Sequence, residues 1–188
     1  MDNSTKSYYK SIDGLRFFCF FIVFLFHCQI PGFQLGWSGV TFFFVISGFL
    51  ITEILINSKK SSSYFKSFYI RRALRIFPIY YIVIIGVAIL FFIVNKRIPN
   101  DLLYYITYTQ NIYWIPTQYS SDMVPFLAHT WTLSIEEQFY LIWPLIIWIV
   151  PNKRIPDLCV WVMLFAILFR GVSIFFDNVY ITSILLPS

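Results

Sequence analysis

Long apolar blocks alternate with short charged segments along this chain, and the blocks have the length of membrane-spanning helices. No residue between Arg16 and Glu53 carries a permanent charge. This stretch of 36 residues is too long for one span and fits two spans joined by a tight turn at Pro31. We therefore predict one helix over about 15–31 and a second over about 35–56.

Three further apolar blocks complete a predicted set of five spans. An uncharged block of 20 residues covers 76–95, which is enough to cross about 30 Å of hydrocarbon at about 1.5 Å per residue. The fourth and fifth spans are predicted over 133–150 and about 157–176. The segment 102–116 is uncharged but rich in Tyr, Trp, Thr and Asn, which predicts an interfacial or re-entrant helix. The expected fold is an all-α, polytopic transmembrane helical bundle.

The composition agrees with a membrane protein and excludes other classes. Hydrophobic residues make up 59% of the 188 residues and charged residues only 12%, against about 25% in soluble domains. A chain of this length cannot bury so much apolar surface in one aqueous core. The net charge of +5 comes from short islands rather than from a solvated basic face, so we expect no nucleic-acid partner.

The distribution of basic residues predicts the orientation of the spans. With the N-terminus in the cytoplasm, 11 of the 14 Lys and Arg residues fall on cytoplasmic segments. This bias is the positive-inside pattern of multi-pass membrane proteins. An odd number of spans then places the C-terminus outside.

Ionisable residues within spans are costly and therefore mark candidate functional positions. Arg16 and His27 are 11 residues apart, so on a helix they share a face and are separated by about 16.5 Å along the axis. A guanidinium near the cytoplasmic surface and an imidazole deeper in the membrane could line one cavity. Alternatively, His27 is a neutral histidine that bonds to a neighbouring helix.

Arg72 and Arg75 lie three residues apart, on one face of a short amphipathic helix that we expect to end at Pro78. Clustered guanidinium groups at a membrane surface suit phosphate ligands. The alternative is topological, because basic residues at this position also satisfy the positive-inside rule and contact anionic lipid head groups.

A polar segment, HTWTLSIEEQFYLIWP, opens the predicted fourth span at its outer mouth. Glu136 and Glu137 point about 100° apart on a helix, so only one can face a given cavity well, and the other is solvated or caps the helix. His129 has no metal-ligand spacing with these glutamates, so we predict no metal site.

Small residues on the second predicted span indicate close packing. Gly39, Ser47 and Gly48 would let another helix or a thin substrate approach the span. Ser47 lacks the sequence context of an activated nucleophile, and helix packing is the favoured role.

Taken in order, these blocks resemble the acyltransferase 3 family of bacterial membrane acyltransferases, which includes O-antigen and other surface-polysaccharide O-acetyltransferases. The resemblance covers about residues 8–150 and rests on four blocks: SIDGLRFFCFFIVFLFH, GVTFFFVISGFLIT, FYIRRALRIFPIYY and HTWTLSIEEQFYLIWP.

Three family patterns fall on residues of this chain. The Arg-x10-His pattern matches Arg16 and His27, and the Arg-x-x-Arg pattern matches Arg72 and Arg75. The Trp-Ser-Leu-x-x-Glu-x-Gln-Phe-Tyr pattern matches the segment 131–140, with Thr in place of Ser.

The resemblance implies a bacterial inner (plasma) membrane O-acetyltransferase with acetyl-CoA or another acyl-CoA as donor. Arg16, Arg72 and Arg75 would hold the donor phosphates at the cytoplasmic end. His27 would act as base, with Glu136 orienting its ring. The acceptor would be a hydroxyl of a carbohydrate or lipid-linked glycan at or beyond the outer face.

The family usually has about ten spans, so we expect residues 1–188 to form a single membrane domain equivalent to its N-terminal half. Membrane lipid is the other expected partner. The competing interpretation is a non-catalytic polytopic protein, namely a transporter, a flippase or an inactive truncated remnant.

Overall fold

The computed structural model describes residues 10–117 and 122–175, and these residues form α-helices without any strand. The prediction of an all-α protein is confirmed. The helices are α1 (Lys10–His27), α2 (Ser38–Ser58), α3 (Tyr64–Asn95), α4 (Leu102–Ile106), α5 (Gln110–Thr117), α6 (Val124–Leu127), α7 (Trp131–Ile149) and α8 (Ile155–Phe175).

Within the described ranges, three helical segments are long and apolar enough to cross a membrane: Ser38–Ser58, Tyr64–Asn95 and Asn152–Val172. They correspond to the second, third and fifth predicted spans. The first and fourth predicted spans fall on α1, of 18 residues, and α7, of 19 residues. Both helices contain charged side chains, and the count of five spans stays a prediction.

The chain divides into two compact units, with the boundary inside α2 between Glu53 and Ile54. The first unit contains α1 and most of α2. The second contains the last residues of α2 together with all helices from α3 onward. Arg16 and His27 belong to the first unit, and each unit is described separately below.

A tight turn joins α1 to α2, as the Pro-Gly pair predicted. Gly32 has a φ of +94°, which glycine adopts without steric cost. The first helix ends at His27, four residues before the predicted end. Gln29 adopts a left-handed φ of +56°, which a right-handed helix cannot continue.

The absence of a side chain at Gly39 allows α1 and α2 to pack closely. A Cβ atom on Gly39 would lie 2.7 Å from the backbone oxygen of Cys19, whereas one on Gly48 would meet nothing within 4 Å. Close helix packing is therefore confirmed for Gly39, and for Gly48 the close approach of a helix or a thin substrate stays a prediction. Ser47, which lies between these glycines in the sequence, is buried.

The helix α3 runs without a break through Pro78, so the prediction of a short helix ending at that proline is wrong. Proline removes one backbone hydrogen bond, but apolar helices tolerate this loss where neighbouring groups compensate. Its 32 residues extend about 48 Å. Arg72 and Arg75 thus share one rigid helix with the apolar block 76–95.

The helix α7 runs antiparallel to the first half of α3. The hydroxyl of Tyr64, in the first turn of α3, donates to the carbonyl of Pro144 at 2.9 Å. Lys59 Nζ donates to the carbonyl of Val150, just after α7, at 2.5 Å. A cation is favourable at a helix C-terminus. The loop before α3 and the loop after α7 therefore lie on the same side, as alternating spans require.

The predicted helix over 102–116 is two short helices, α4 and α5, with Tyr108 between them in a left-handed conformation (φ +54°). This segment packs along the second half of α3, where the hydroxyl of Tyr80 donates to the carbonyl of Tyr105 at 2.7 Å. Gln110 and Asn111 are fully buried. The segment therefore buries one side against the second unit and leaves the other exposed, as Leu103 and Ile112 show.

Two carboxylates join the residues just before α4 to the residues just before α6. Arg97 donates to both oxygens of Asp122 at 2.7 Å, and the backbone N–H of Asn100 donates to Asp122 at 2.9 Å. Asp101 accepts a bond from the backbone N–H of Met123 at 3.0 Å. The hydrogen bond from Arg97 lowers the pKa of Asp122 below its usual 3.8.

Candidate functional site

Arg16 and His27 lie on the single helix α1, so their predicted separation of about 16.5 Å along one axis is retained. The guanidinium of Arg16 is half-buried, and its Cζ lies 5.1 Å from the ring centroid of Phe43 on α2. His27 is the last residue of α1 and is exposed, with its ring centroid 5.4 Å from that of Phe26. Because α1 ends here, His27 lies at the mouth of the α1–α2 turn instead of within the helix.

The arginines of α3 have different surroundings although they are close in sequence. Arg72 is half-buried, and its Cζ lies 4.8 Å from the ring centroid of Tyr140 and 5.8 Å from that of Phe68. Arg75 is exposed. Arg71 is also exposed and donates to the backbone and hydroxyl of Ser67. Only Arg72 is therefore held against α7.

The acidic pair of α7 lies at the level of these arginines. Glu137 interacts electrostatically with Glu136 and with Arg72, and Tyr140 lies in the field of both glutamates and of Arg75. The sequence predicted the glutamates at the outer mouth of one span and the arginines at the cytoplasmic end of another. That separation is wrong, because the structure brings the two groups together.

The reason is that α7 begins at the middle of α3. Gln110 Nε2 donates to the carbonyl of Thr130 at 3.2 Å and to the hydroxyl of Tyr80 at 3.4 Å. Thr130 directly precedes α7, and Tyr80 is near the midpoint of α3. Residues 97–117 and 122–130 pack along the second half of α3, so the acidic pair lies against the first half.

Glu137 also faces the loop between α4 and α5. Its charge interacts with the side chains of Tyr81 and Tyr108. The sequence left open which glutamate faces the site. The charge of Glu137 interacts with Arg72 and with both tyrosines. The predicted contact of Glu136 with His27 stays a prediction.

Asn111, which the sequence did not single out, pairs with Gln138 of the family pattern and joins α5 to α7. Asn111 and Gln138 donate to each other's side-chain oxygens at 3.2 and 2.9 Å, and Gln138 also donates to the carbonyl of Tyr108 at 2.9 Å. The signal in the sequence was the polar but uncharged character of 102–116. These bonds fix the helix that carries Glu136 and Glu137.

Several polar atoms of this region are buried without a hydrogen-bond partner in the described part of the chain. They include Ser134 Oγ, the hydroxyl of Tyr108 and one carboxylate oxygen of Glu137. Buried polar groups are normally paired. The second unit therefore offers both donors and acceptors in an aromatic environment beside Arg72.

The two arginines differ in their suitability for a donor phosphate. Arg75 is exposed, and a guanidinium that solvent reaches can bind a phosphate. Arg72 is covered by aromatic rings and flanked by carboxylates, which repel an anion. Arg72 is better suited to holding the acidic pair in place.

The comparison with known families decides what kind of protein this is. The family model described as an acyltransferase domain matches residues 9–187. The chain belongs to this acyltransferase family. The resemblance seen in the sequence blocks is thereby confirmed, and it extends over nearly the whole chain.

Curated relatives of this acyltransferase-family chain are named as O-acetyltransferases. The chain is 38% identical over 150 residues to the peptidoglycan O-acetyltransferase of Listeria monocytogenes, which covers 74% of the chain and 24% of that protein. It is 33% identical over 150 residues to a candidate O-acetyltransferase of Staphylococcus aureus, covering 74% and 25%. A candidate peptidoglycan O-acetyltransferase of Bacillus subtilis is 32% identical over 148 residues, covering 73% and 23%.

The chain spans about a quarter of the length of the curated relatives it matches. No solved structure matches it at a significant level. Family membership is thus established by sequence, and the arrangement of Arg72, Glu136 and Glu137 comes from the structure of this chain.

Proposed function

We propose that this chain carries out, or forms part of a protein that carries out, transfer of an acetyl group from acetyl-CoA to a hydroxyl of a cell-surface carbohydrate. The proposal is supported by membership of the acyltransferase family and by Arg72, whose Cζ lies 4.8 Å from the ring centroid of Tyr140 on the helix that carries Glu136 and Glu137. A carbohydrate acceptor is supported by relatives named as peptidoglycan O-acetyltransferases.

The donor is bound through its phosphates. Arg75 is exposed on α3 and supplies bidentate hydrogen bonds to a phosphate. Arg16, on the first unit, is a further candidate for binding a donor phosphate. Arg72 acts with Tyr140 and Glu137 to hold α7 against α3.

The base is His27. A neutral imidazole takes the proton from the acceptor hydroxyl as its oxygen attacks the thioester carbon. The carbon–sulfur bond then breaks, and the CoA sulfur leaves with the electron pair and receives a proton. No side chain is acylated in this scheme.

The proposed location is the plasma membrane of a bacterium, with several spans and a cytoplasmic N-terminus. The support is the clustering of 11 of 14 basic residues on alternate segments. In this orientation acetyl-CoA approaches from the inside and the glycan from the outside.

The proposal is tested with membrane vesicles that contain the full chain, supplied with radiolabelled acetyl-CoA and peptidoglycan fragments. We expect CoA release together with an alkali-labile acetyl ester on the glycan, and neither in vesicles without the chain. CoA release without a glycan ester would overturn the carbohydrate acceptor. If neither product forms although the chain is inserted and folded, the transporter, flippase or inactive-remnant interpretation is favoured.

A further inference from the structure

An open cavity lies in the turn between α1 and α2, and one of its lining residues is Phe26, which precedes His27. Its volume is about 230 Å³, and its lining residues are Phe26, Gln29, Ile30, Phe33 and Gln34. All of them belong to the first unit. Pockets for drug-sized ligands have volumes of about 300–1,000 Å³, so this cavity fits a smaller ligand of about one ring.

The turn is a defined backbone structure. Gln29 N–H donates to the carbonyl of Phe26 at 2.9 Å, and the N–H of Phe33 donates to the carbonyl of Ile30 at 3.2 Å. Gln29 has a φ of +56°, a conformation that few residues other than glycine adopt. Such conformations are retained where the surrounding structure fixes them, often at ligand sites.

The lining residues determine the chemistry of the ligand. None of them is charged, which disfavours a phosphate, a carboxylate or a cation. The phenylalanine rings of Phe26 and Phe33 offer flat apolar faces, and the amides of Gln29 and Gln34 offer both hydrogen-bond donors and acceptors. A sugar ring matches this combination, because it has apolar C–H faces and hydroxyl groups at its edge.

The cavity lies next to the candidate base. Phe26, which lines it, has its ring centroid 5.4 Å from that of His27, and both side chains belong to the last turn of α1. A ring held against Phe26 therefore presents its edge hydroxyls in the neighbourhood of the imidazole.

We infer that this cavity at the α1–α2 turn binds one sugar ring of the acceptor, with Gln29 and Gln34 bonding its hydroxyls and Phe26 and Phe33 packing against its face. The inference rests on the proposed function, which it deepens by assigning an acceptor site. The alternative occupant, a lipid or detergent chain, would use the rings and leave the amides without a role.

The first test compares kinetic constants in vesicles with the N-acetylglucosamine–N-acetylmuramic acid disaccharide as acceptor. Loss of one hydrogen bond in Gln34→Ala is expected to raise the acceptor KM about threefold to tenfold, with the KM for acetyl-CoA unchanged. Leu35→Ala is the matched control, since Leu35 lies in the same turn, is 75% exposed and does not line the cavity.

An unchanged acceptor KM in both Gln34→Ala and Phe33→Ala would overturn the inference. So would an equal rise of both KM values, because that result would indicate general disruption. If wild-type vesicles transfer no acetyl group at all, the proposed function fails, and the acceptor site is then judged by binding alone.

The binding test uses wild-type protein and a diazirine derivative of the same disaccharide, followed by mapping of the labelled peptide. We expect labelling within residues 26–34, competed by unlabelled disaccharide and weakened in Gln34→Ala. Labelling only outside this turn, or labelling competed equally by detergent monomers, would contradict the sugar site.

Discussion

His27 lies at the exposed end of α1, where a substitution removes the imidazole without leaving a void in a packed core. We predict that His27→Ala abolishes acetyl transfer while insertion and protein level stay unchanged, because the imidazole is the group that takes the hydroxyl proton in the proposed mechanism. Acetyl ester on the glycan and protein in the membrane fraction are the two measurements.

The neighbouring Cys28 provides the matched control for this variant. Cys28 is also exposed and follows His27 directly. Cys28→Ala is expected to retain transfer. Equal loss in both variants would assign the effect to the turn and not to the imidazole.

Alanine variants of Arg75 and Arg71 distinguish phosphate binding from the general effect of a positive charge. Both are exposed on α3, but Arg71 is engaged with Ser67. Arg75→Ala is expected to raise the KM for acetyl-CoA about tenfold or more, since a charge-assisted hydrogen bond is worth about 1.5–3 kcal/mol. Arg71→Ala should change it little.

The two outcomes have different meanings. Equal rises of the donor KM in both variants would indicate a diffuse electrostatic effect, as expected for contacts with lipid head groups. A fall in protein level in Arg75→Ala with unchanged kinetics would support the topological role of the basic cluster.

At the residue scale, the sequence singled out candidate residues but did not predict which of them are neighbours. Arg72 and the glutamates were recognised as costly charges near apolar blocks, yet their proximity was missed. Spacing along one helix can be computed from 100° per residue, whereas the position along α3 at which α7 begins depends on how α4 and α5 pack against α3. Asn111 was missed because an uncharged amide produces no strong signal.

Among the elements, the hairpin of α1 and α2 depends on glycines at close approaches, namely Gly36 in the turn and Gly39 on α2. A Cβ atom on Gly39 would lie 2.7 Å from a backbone oxygen of α1 and 2.9 Å from side-chain atoms of Ile22 and Val23. We predict that Gly39→Ala destabilises the protein by about 1–3 kcal/mol. Thermal unfolding in detergent measures this change.

Gly48→Ala is the control on the same helix. Its added Cβ would meet nothing within 4 Å, and alanine favours a helix over glycine by about 1 kcal/mol. The variant should be as stable as the wild type or more stable. A similar loss of stability in both would contradict the close approach at Gly39.

The tie between Arg97 and Asp122 predicts a pH dependence for the segment that follows α3. Arg97 lowers the pKa of Asp122, so the tie stabilises the protein above the unfolded value of 3.8 and is lost as the pH falls through the lowered pKa. Hydrogen exchange of residues 97–117 in Asp122→Asn should be faster than in wild type at neutral pH.

The difference in exchange rate between the wild type and Asp122→Asn should shrink as the pH is lowered below the unfolded pKa of Asp122. A difference that is constant across this range would show that the carboxylate charge has no part in it. The exposed position of Arg97 keeps the effect small.

The sequence predicted the helices and the position of the first turn, but it was wrong about two breaks. Pro78 was expected to end a helix and does not, because α3 continues through it. Residues 102–116 were expected to form one helix, and Tyr108 divides it. Both errors arise because packing against neighbouring elements overrides the local preference.

For the whole molecule, the main prediction concerns orientation. If the N-terminus is cytoplasmic, the α1–α2 turn faces outward. Cys28, exposed at that turn, should then react with a membrane-impermeant maleimide added to intact cells, in a variant that carries Cys19→Ser and Cys159→Ser. Labelling only after the membrane is opened would reverse the predicted topology.

In the proposed acyl transfer the donor approaches from the cytoplasmic face and the acceptor from the outer face, and this arrangement connects all three scales. Arg75 is assigned to the donor phosphates and His27 to the acceptor hydroxyl. They lie on different units, and the family match from residue 9 to residue 187 includes both.

The most direct measurement follows a 13C-labelled acetyl group from acetyl-CoA, supplied at the cytoplasmic face of vesicles, to glycan on the opposite face by mass spectrometry. The account predicts a labelled acetyl ester on a glycan hydroxyl with the wild-type chain and none with His27→Ala. Labelled glycan in equal amount from the His27→Ala chain, or from vesicles without the chain, would contradict it.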